Sequence, residues 1–145
     1  MGSPAVGRVA LMSIHPEYAD AILAGTKKVE FRKRPIADDV THVIVYATAP
    51  VSAIVGAFIV ENQATAAPSS LWRRFAKVGG ITRHGFFSYF ADRTHGVGIE
   101  VGEVLAPAEP MSLVDDLGIA RPPQSFQYLP AAAAEPALAG MATIC

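Results

Sequence analysis

A small mixed β-barrel with helices plugging its ends, in the α+β class, is the fold the sequence predicts. Three observations carry it. Strand-like runs outnumber helical ones. They come in the order β-α-β-β-β-α-α-β, followed by irregular segments. The alternation is too irregular for a doubly wound parallel sheet. A chain of 145 residues with a hydrophobic fraction of 51% has room for one domain with a proper core.

Each element has a local reason. RVALMSI (residues 8–14) is an apolar run that reads as a buried first strand. HPEYADAILAG reads as a short helix. Pro16 suits its first position, Glu17 and Asp20 sit near the positive end of its dipole, and Gly25 is a natural stop. TKKVEFRKR then alternates, with Val29 and Phe31 on one side and Lys28, Glu30, Arg32 and Arg34 on the other. That predicts a half-buried strand with a charged face. Pro35, Asp38 and Asp39 mark a loop. Residues 42–48 and 53–62 read as strands separated at Pro50, with Gly56 a bulge or a close approach. Pro68-Ser69-Ser70 is expected to cap a helix that ends at Gly79 and Gly80, and Thr82 to cap a second one carrying Phe86, Phe87 and Phe90. Residues 97–104 return to β. Ser112 opens a turn or short helix through Leu117, and Pro122 and Pro123 hold the following stretch extended. The expected organisation is an extension at 1–7, the domain at 8–129, and an Ala/Pro-rich tail outside the core at 130–145.

Composition excludes several classes. No apolar run approaches the ~20 residues that span a membrane, and the N-terminus does not read as a signal peptide. The one cysteine, Cys145, forms no internal disulfide, which favours a reducing cytoplasm. The chain lacks a phosphate-binding loop, a dinucleotide fingerprint, an H-E-x-x-H helix and a G-x-S-x-G elbow. His15, His42, His84 and His95 are scattered, so neither a metal site nor a cofactor is expected. Charge is polarised. Residues 27–93 hold ten Lys/Arg against five acids, a net +5, while residues 94–145 hold one arginine against six acids, a net −5. Such a surface can meet an anion, or it can be two ordinary solvated faces.

The chemistry concentrates in GTKKVEFRKR (residues 25–34). A Glu30–Arg32 pair on one strand face is within reach, and so is a Lys27–Glu30 contact. Arg32 can grip a phosphate and Glu30 can accept from a base amino group. A desolvated Lys27 can act as general base or nucleophile. The competing reading is a Lys–Glu–Arg network that only fastens the strand to the barrel.

Gly25-Thr26-Lys27-Lys28-Val29-Glu30-Phe31-Arg32 matches G-x-K-x-x-E-x-R, and the chain resembles the ASCH domain family of the PUA-like superfamily. The likeness extends over residues 8–129, through VIVYATAPVSAIVGAF, LWRRFAKVGGITRHGFFSYF and RPPQSFQYL. It implies a PUA-like barrel with a cleft between barrel and helices, and binding of RNA or a nucleotide-like ligand. Some members of the superfamily are ribonucleases. One bacterial group deacetylates acetylated cytidine with a lysine at the G-x-K position, a threonine three residues on and a distant glutamate. Lys27 matches that lysine, whereas Glu30 stands where the threonine would be.

The resulting expectation is a nucleic-acid or nucleotide-binding domain, regulatory in one version, with Lys27, Arg32 and Arg34 on phosphate and Glu30 on a base. The alternative is a hydrolase on RNA or a modified nucleoside, with Lys27 and Glu30 catalytic. A third option is a cleft for a peptide or small effector. Further candidates carry two readings each. Ser13 and His15 flank a helix entry that attracts anions, or simply cap it. Tyr46 and Thr48 end a strand near the cleft, or Tyr46 only packs. Trp72 beside Arg73 and Arg74 stacks a base, or anchors the core. Gln124, Ser125 and Phe126 close the cleft, or cover the barrel end. Oligomeric state is not legible.

Overall fold

The structure, a computed structural model, describes residues 4–144. Residues 1–3 of the expected N-terminal extension, and Cys145, lie outside the described residues. The described chain runs β1 (Arg8–Ile14), α1 (Pro16–Leu23), β2 (Val29–Arg32), β3 (Val40–Ala47), β4 (Ala53–Ala66), α2 (Pro68–Phe75), α3 (Arg83–Tyr89), β5 (Gly96–Pro107), α4 (Leu113–Leu117), β6 (Phe126–Leu129), α5 (Ala131–Ala139) and β7 (Met141–Thr143). The first eight elements follow the predicted order. No described helix is long and apolar enough to cross a membrane.

The strands form one mixed, half-barrel sheet in the order β2-β5-β4-β3-β1-β6, with β7 added on β5. β1 and β3 are parallel and every other pair is antiparallel. Both faces of β1 are buried, which explains its unbroken apolar run. Ala10, Met12 and Ile14 face a core shared with Ile22, Val43, Phe58 and Ile99. Val9 and Leu11 face a second core with Ile44, Ile54 and Leu138. A third cluster joins Val29 and Phe31 of β2 to Leu71 and Phe75 of α2 and to Phe86 and Phe90, in α3 and at its end. Gly56 is both a bulge and a close approach. The β3–β4 register shifts beside it, and a Cβ there would lie 2.6 Å from Leu23 Cδ2 and 2.7 Å from the Leu105 carbonyl.

Three expectations are corrected. The strand after α1 is four residues long, and its expected wet charged face is not wet, because Glu30 is only 6% exposed. Lys27 on one side and Arg32 on the other enclose that carboxylate. The cap of α2 is Ala67, not a serine. Pro68 takes the first helical position, and the helix stops at Phe75, short of the glycines. Residues 131–143 are not a tail outside the core. α5 buries Ala134, Ala137 and Leu138, and β7 pairs with β5. Small side chains hide this from composition, because alanine lets a helix lie close to a sheet with few large apolar residues. Leu138→Ala should therefore cost about 2–4 kcal/mol in chemical denaturation. A loss under about 0.5 kcal/mol would place this residue on the surface.

His42, buried on β3, is held by Thr41 Oγ1 at 2.7 Å from Nδ1. Burial lowers its pKa from the ordinary 6.5, against the opposing pull of Glu103. The unfolded chain then takes up a proton that the folded chain resists. The contribution of His42 is complete above pH 6.5 and is lost as pH falls toward the lowered value. Melting followed from about pH 7 to about pH 5 should show a steeper decline in the parent than in His42→Gln. Parallel declines would contradict this.

Candidate functional site

The site begins where α1 stops. Gly25 adopts φ +81°, and the amides of Thr26 and Lys27 both donate to Ala21 O, at 3.0 Å each. Lys28 is clamped next, its amide donating to Val78 O at 2.7 Å and its carbonyl accepting from Val101 N at 3.0 Å. These bonds fix the backbone from which the Lys27 side chain projects. Its side chain runs under the α2–α3 connection and its Nζ donates to Gly79 O. Gly80 makes the passage possible. It has φ +62°, and a Cβ there would come within 2.8 Å of Lys27 Cβ.

Lys27 is 2% exposed. Its ammonium lies 5.1 Å from the Tyr18 ring centroid and 5.2 Å from that of Phe31, with Glu30 Oε1 at 3.8 Å. Desolvation lowers its pKa below the ordinary lysine value; Glu30 opposes the shift and Arg32 adds to it. The result is a cation kept dry, with one carboxylate for company.

Glu30 is shared. Its Oε2 accepts from Arg32 Nε at 3.0 Å and lies 2.9 Å from Arg32 Nη2. Arg32 also donates to Ser13 O at 2.9 Å and to Ser125 Oγ at 3.1 Å. Since β2 and β6 are the two ends of the sheet order, this one guanidinium laces the open seam of the half-barrel. Ser13 reinforces it, with its hydroxyl donating to Pro123 O at 2.7 Å and its amide to Ser125 O at 3.0 Å. Ser13 therefore does not cap α1.

The seam opens into a cleft of about 670 Å³. Of the residues expected from sequence, Ser13, His15, Lys27, Glu30, Arg32, Gln124 and Ser125 line it together. The others lie elsewhere. Arg34 is exposed beyond the strand. Tyr46 is buried in the opposite core, and Thr48 bonds Ile14 O through its amide at 3.0 Å. Trp72 packs on Phe86 and Phe87, at 5.2 and 5.9 Å between centroids, as the core-anchor reading expected. Phe126 packs on Tyr128 and the first core. Sequence reasoning missed Tyr18, Phe31, Lys33, Ser88 and Tyr89 as lining residues. Tyr18 carried a faint signal, one helical turn before Ile22 on the inward side. Burial raises the pKa of both Tyr18 and Tyr89, so their phenols stay protonated.

Comparison with known proteins adds the following. Residues 12–104 match the family model described as ASCH domain. Over 125 residues the chain is 30% identical to a Zymomonas mobilis protein named ASCH domain-containing ribonuclease, covering 83% of both. It is 27% identical over 120 residues to large ribosomal subunit protein uL22 of Ureaplasma parvum, covering 82% of this chain and 38% of that protein. The crystal structure of ASCH from Zymomonas mobilis superposes with a TM-score of 0.82 at 24% identity, over 92% of this chain and 96% of that one. That likeness supports the expected PUA-like α+β fold.

Arg32→Ala strands a buried carboxylate and unlaces the seam. It should cost about 3–5 kcal/mol, with part regained when Glu30→Gln is added. Denaturant unfolding of both variants checks this. A loss below about 1 kcal/mol would mean that packing alone closes the barrel.

Proposed function

We propose that this chain, which belongs to the ASCH domain family, binds RNA or a nucleotide-like ligand in the cleft around Lys27. One observation carries the reading. A buried ammonium and a buried carboxylate, Lys27 and Glu30, lie side by side at the floor of a cleft rimmed by cations, hydroxyls and aromatic rings. The Zymomonas mobilis relative named a ribonuclease supports RNA as the partner.

Each group then has a role. The Lys27 ammonium attracts a phosphate or a carbonyl oxygen. Glu30 accepts from an exocyclic amino group such as that of cytosine or adenine. Arg32 holds Glu30 in place and adds positive potential, and Arg34 extends the positive field along the chain. Tyr18 and Tyr89 offer rings for stacking and protonated phenols for donation, while Gln124, Ser125 and Ser88 supply polar edges. Tyr46, Thr48, Trp72 and Phe126 take no part in this cleft.

A second reading, hydrolysis of RNA or of a modified nucleoside, is favoured by the depressed pKa of Lys27. A lysine that loses its proton more easily is closer to serving as a base at neutral pH. Proton dependence separates the two readings. If Lys27 binds as a cation, affinity for short RNA falls as pH rises through its lowered pKa. If it acts as a base, turnover rises over the same range. Fluorescence anisotropy and RNA digestion across pH, with Lys27→Ala beside the parent, give the answer. For binding, a negative salt slope is expected, and Lys27→Ala should weaken affinity by roughly tenfold or more. Salt-independent binding that Lys27→Ala leaves intact would overturn the proposal.

A further inference from the structure

We infer that the cleft continues past Lys33 into a subsite for the neighbouring phosphate of a strand, built from Lys33, Arg93 and His95. The inference rests on the nucleotide reading of the cleft. Lys33 belongs to two depressions at once. It lines the central cleft, and it also lines an adjoining one of about 380 Å³ together with Thr65, Asp92, Arg93, Thr94 and His95. Arg93, just beyond α3, donates from Nη2 to the Lys33 carbonyl at 3.2 Å, which fixes its guanidinium at the junction. Lys33 Nζ stands 4.9 Å from the ring centroid of Tyr89, a wall of the central cleft. With one phosphate held at Lys27, a strand running along that wall would present its next phosphate to Lys33 and Arg93.

Charge and donor chemistry agree with an anion. A lysine and an arginine share this depression with one carboxylate, that of Asp92, on a chain whose net charge is −1. Thr94 Oγ1 and His95 Nδ1, 3.2 Å apart, add a hydroxyl and an imidazole at the same lip. The depression on the other side of α3, reached through Ser88, is built differently. Its cation, Arg83, lies 5.0 Å from the Phe87 ring centroid, and Phe87 and Ala91 supply apolar lining. It does not pair two cations, so the geometry points the strand toward Arg93.

The test measures affinity and its salt slope for cytidine monophosphate and for a tetracytidine RNA, by competition anisotropy. The parent should bind the tetranucleotide about tenfold more tightly than the mononucleotide. Arg93→Ala should erase that gain and reduce the salt slope by about 0.7, while leaving cytidine monophosphate affinity unchanged. Arg93→Lys should keep most of the gain, and Arg83→Ala all of it. A gain that persists in Arg93→Ala, or that disappears in Arg83→Ala instead, overturns the subsite while mononucleotide binding still upholds the cleft. If the parent binds neither probe, the subsite and the cleft reading fall together.

Discussion

One buried carboxylate organises this molecule. Glu30 sits between the Lys27 ammonium and the Arg32 guanidinium and offsets the desolvation of both cations. The acid lets Lys27 remain in a dry, aromatic pocket. It also orients Arg32, whose other donors tie β2 to Ser13 and Ser125 across the open side of the sheet. The half-barrel closes there through side chains rather than a backbone ladder.

That arrangement makes the seam and the cleft one object. The groups that lace the sheet edges also line the pocket, so changes in Arg32 or Ser125 alter the seam and the cleft together. Lys27 differs in kind. Its amide is held by Ala21 at the end of α1 and its neighbour Lys28 by Val78 and Val101, so its position owes more to the helix end and the α2–α3 connection than to the ion pair. Gly80 gives way to its side chain, while Phe31 couples the pocket to the aromatic cluster of α2 and α3. An aromatic wall serves twice here. It buries apolar area that holds two short helices on the sheet, and it keeps water away from the ammonium.

Charge is laid out in the same economy. The basic part of the chain supplies β2 and α3, which line the cleft, and Lys33 and Arg93 beside it. The acidic half supplies much of β5 together with α4 and the terminal segments. Lys27, Arg32, Lys33 and Arg93 outnumber Glu30 and Asp92 along these two depressions, although the molecule as a whole is nearly neutral.

Much of this was legible in the residues. Period and punctuation gave β1 to its last residue, α1 with its proline start and glycine stop, and the caps at Thr82 and Ser112, because each rests on contacts only a few residues apart. The eight-residue motif likewise announced Lys27, Glu30 and Arg32, and alternation placed Glu30 beside Arg32. Local sequence did not show that the charged face would be sealed, that Ser125 would meet Arg32 from 93 positions away, or that an alanine-rich end would become core. Nor did it separate Ser13, which reaches the seam, from Tyr46, which faces the other core. Those outcomes follow from sheet order. A strand's period says which side chains share a face, but only the pairing of distant strands decides which face meets water and which meets a partner.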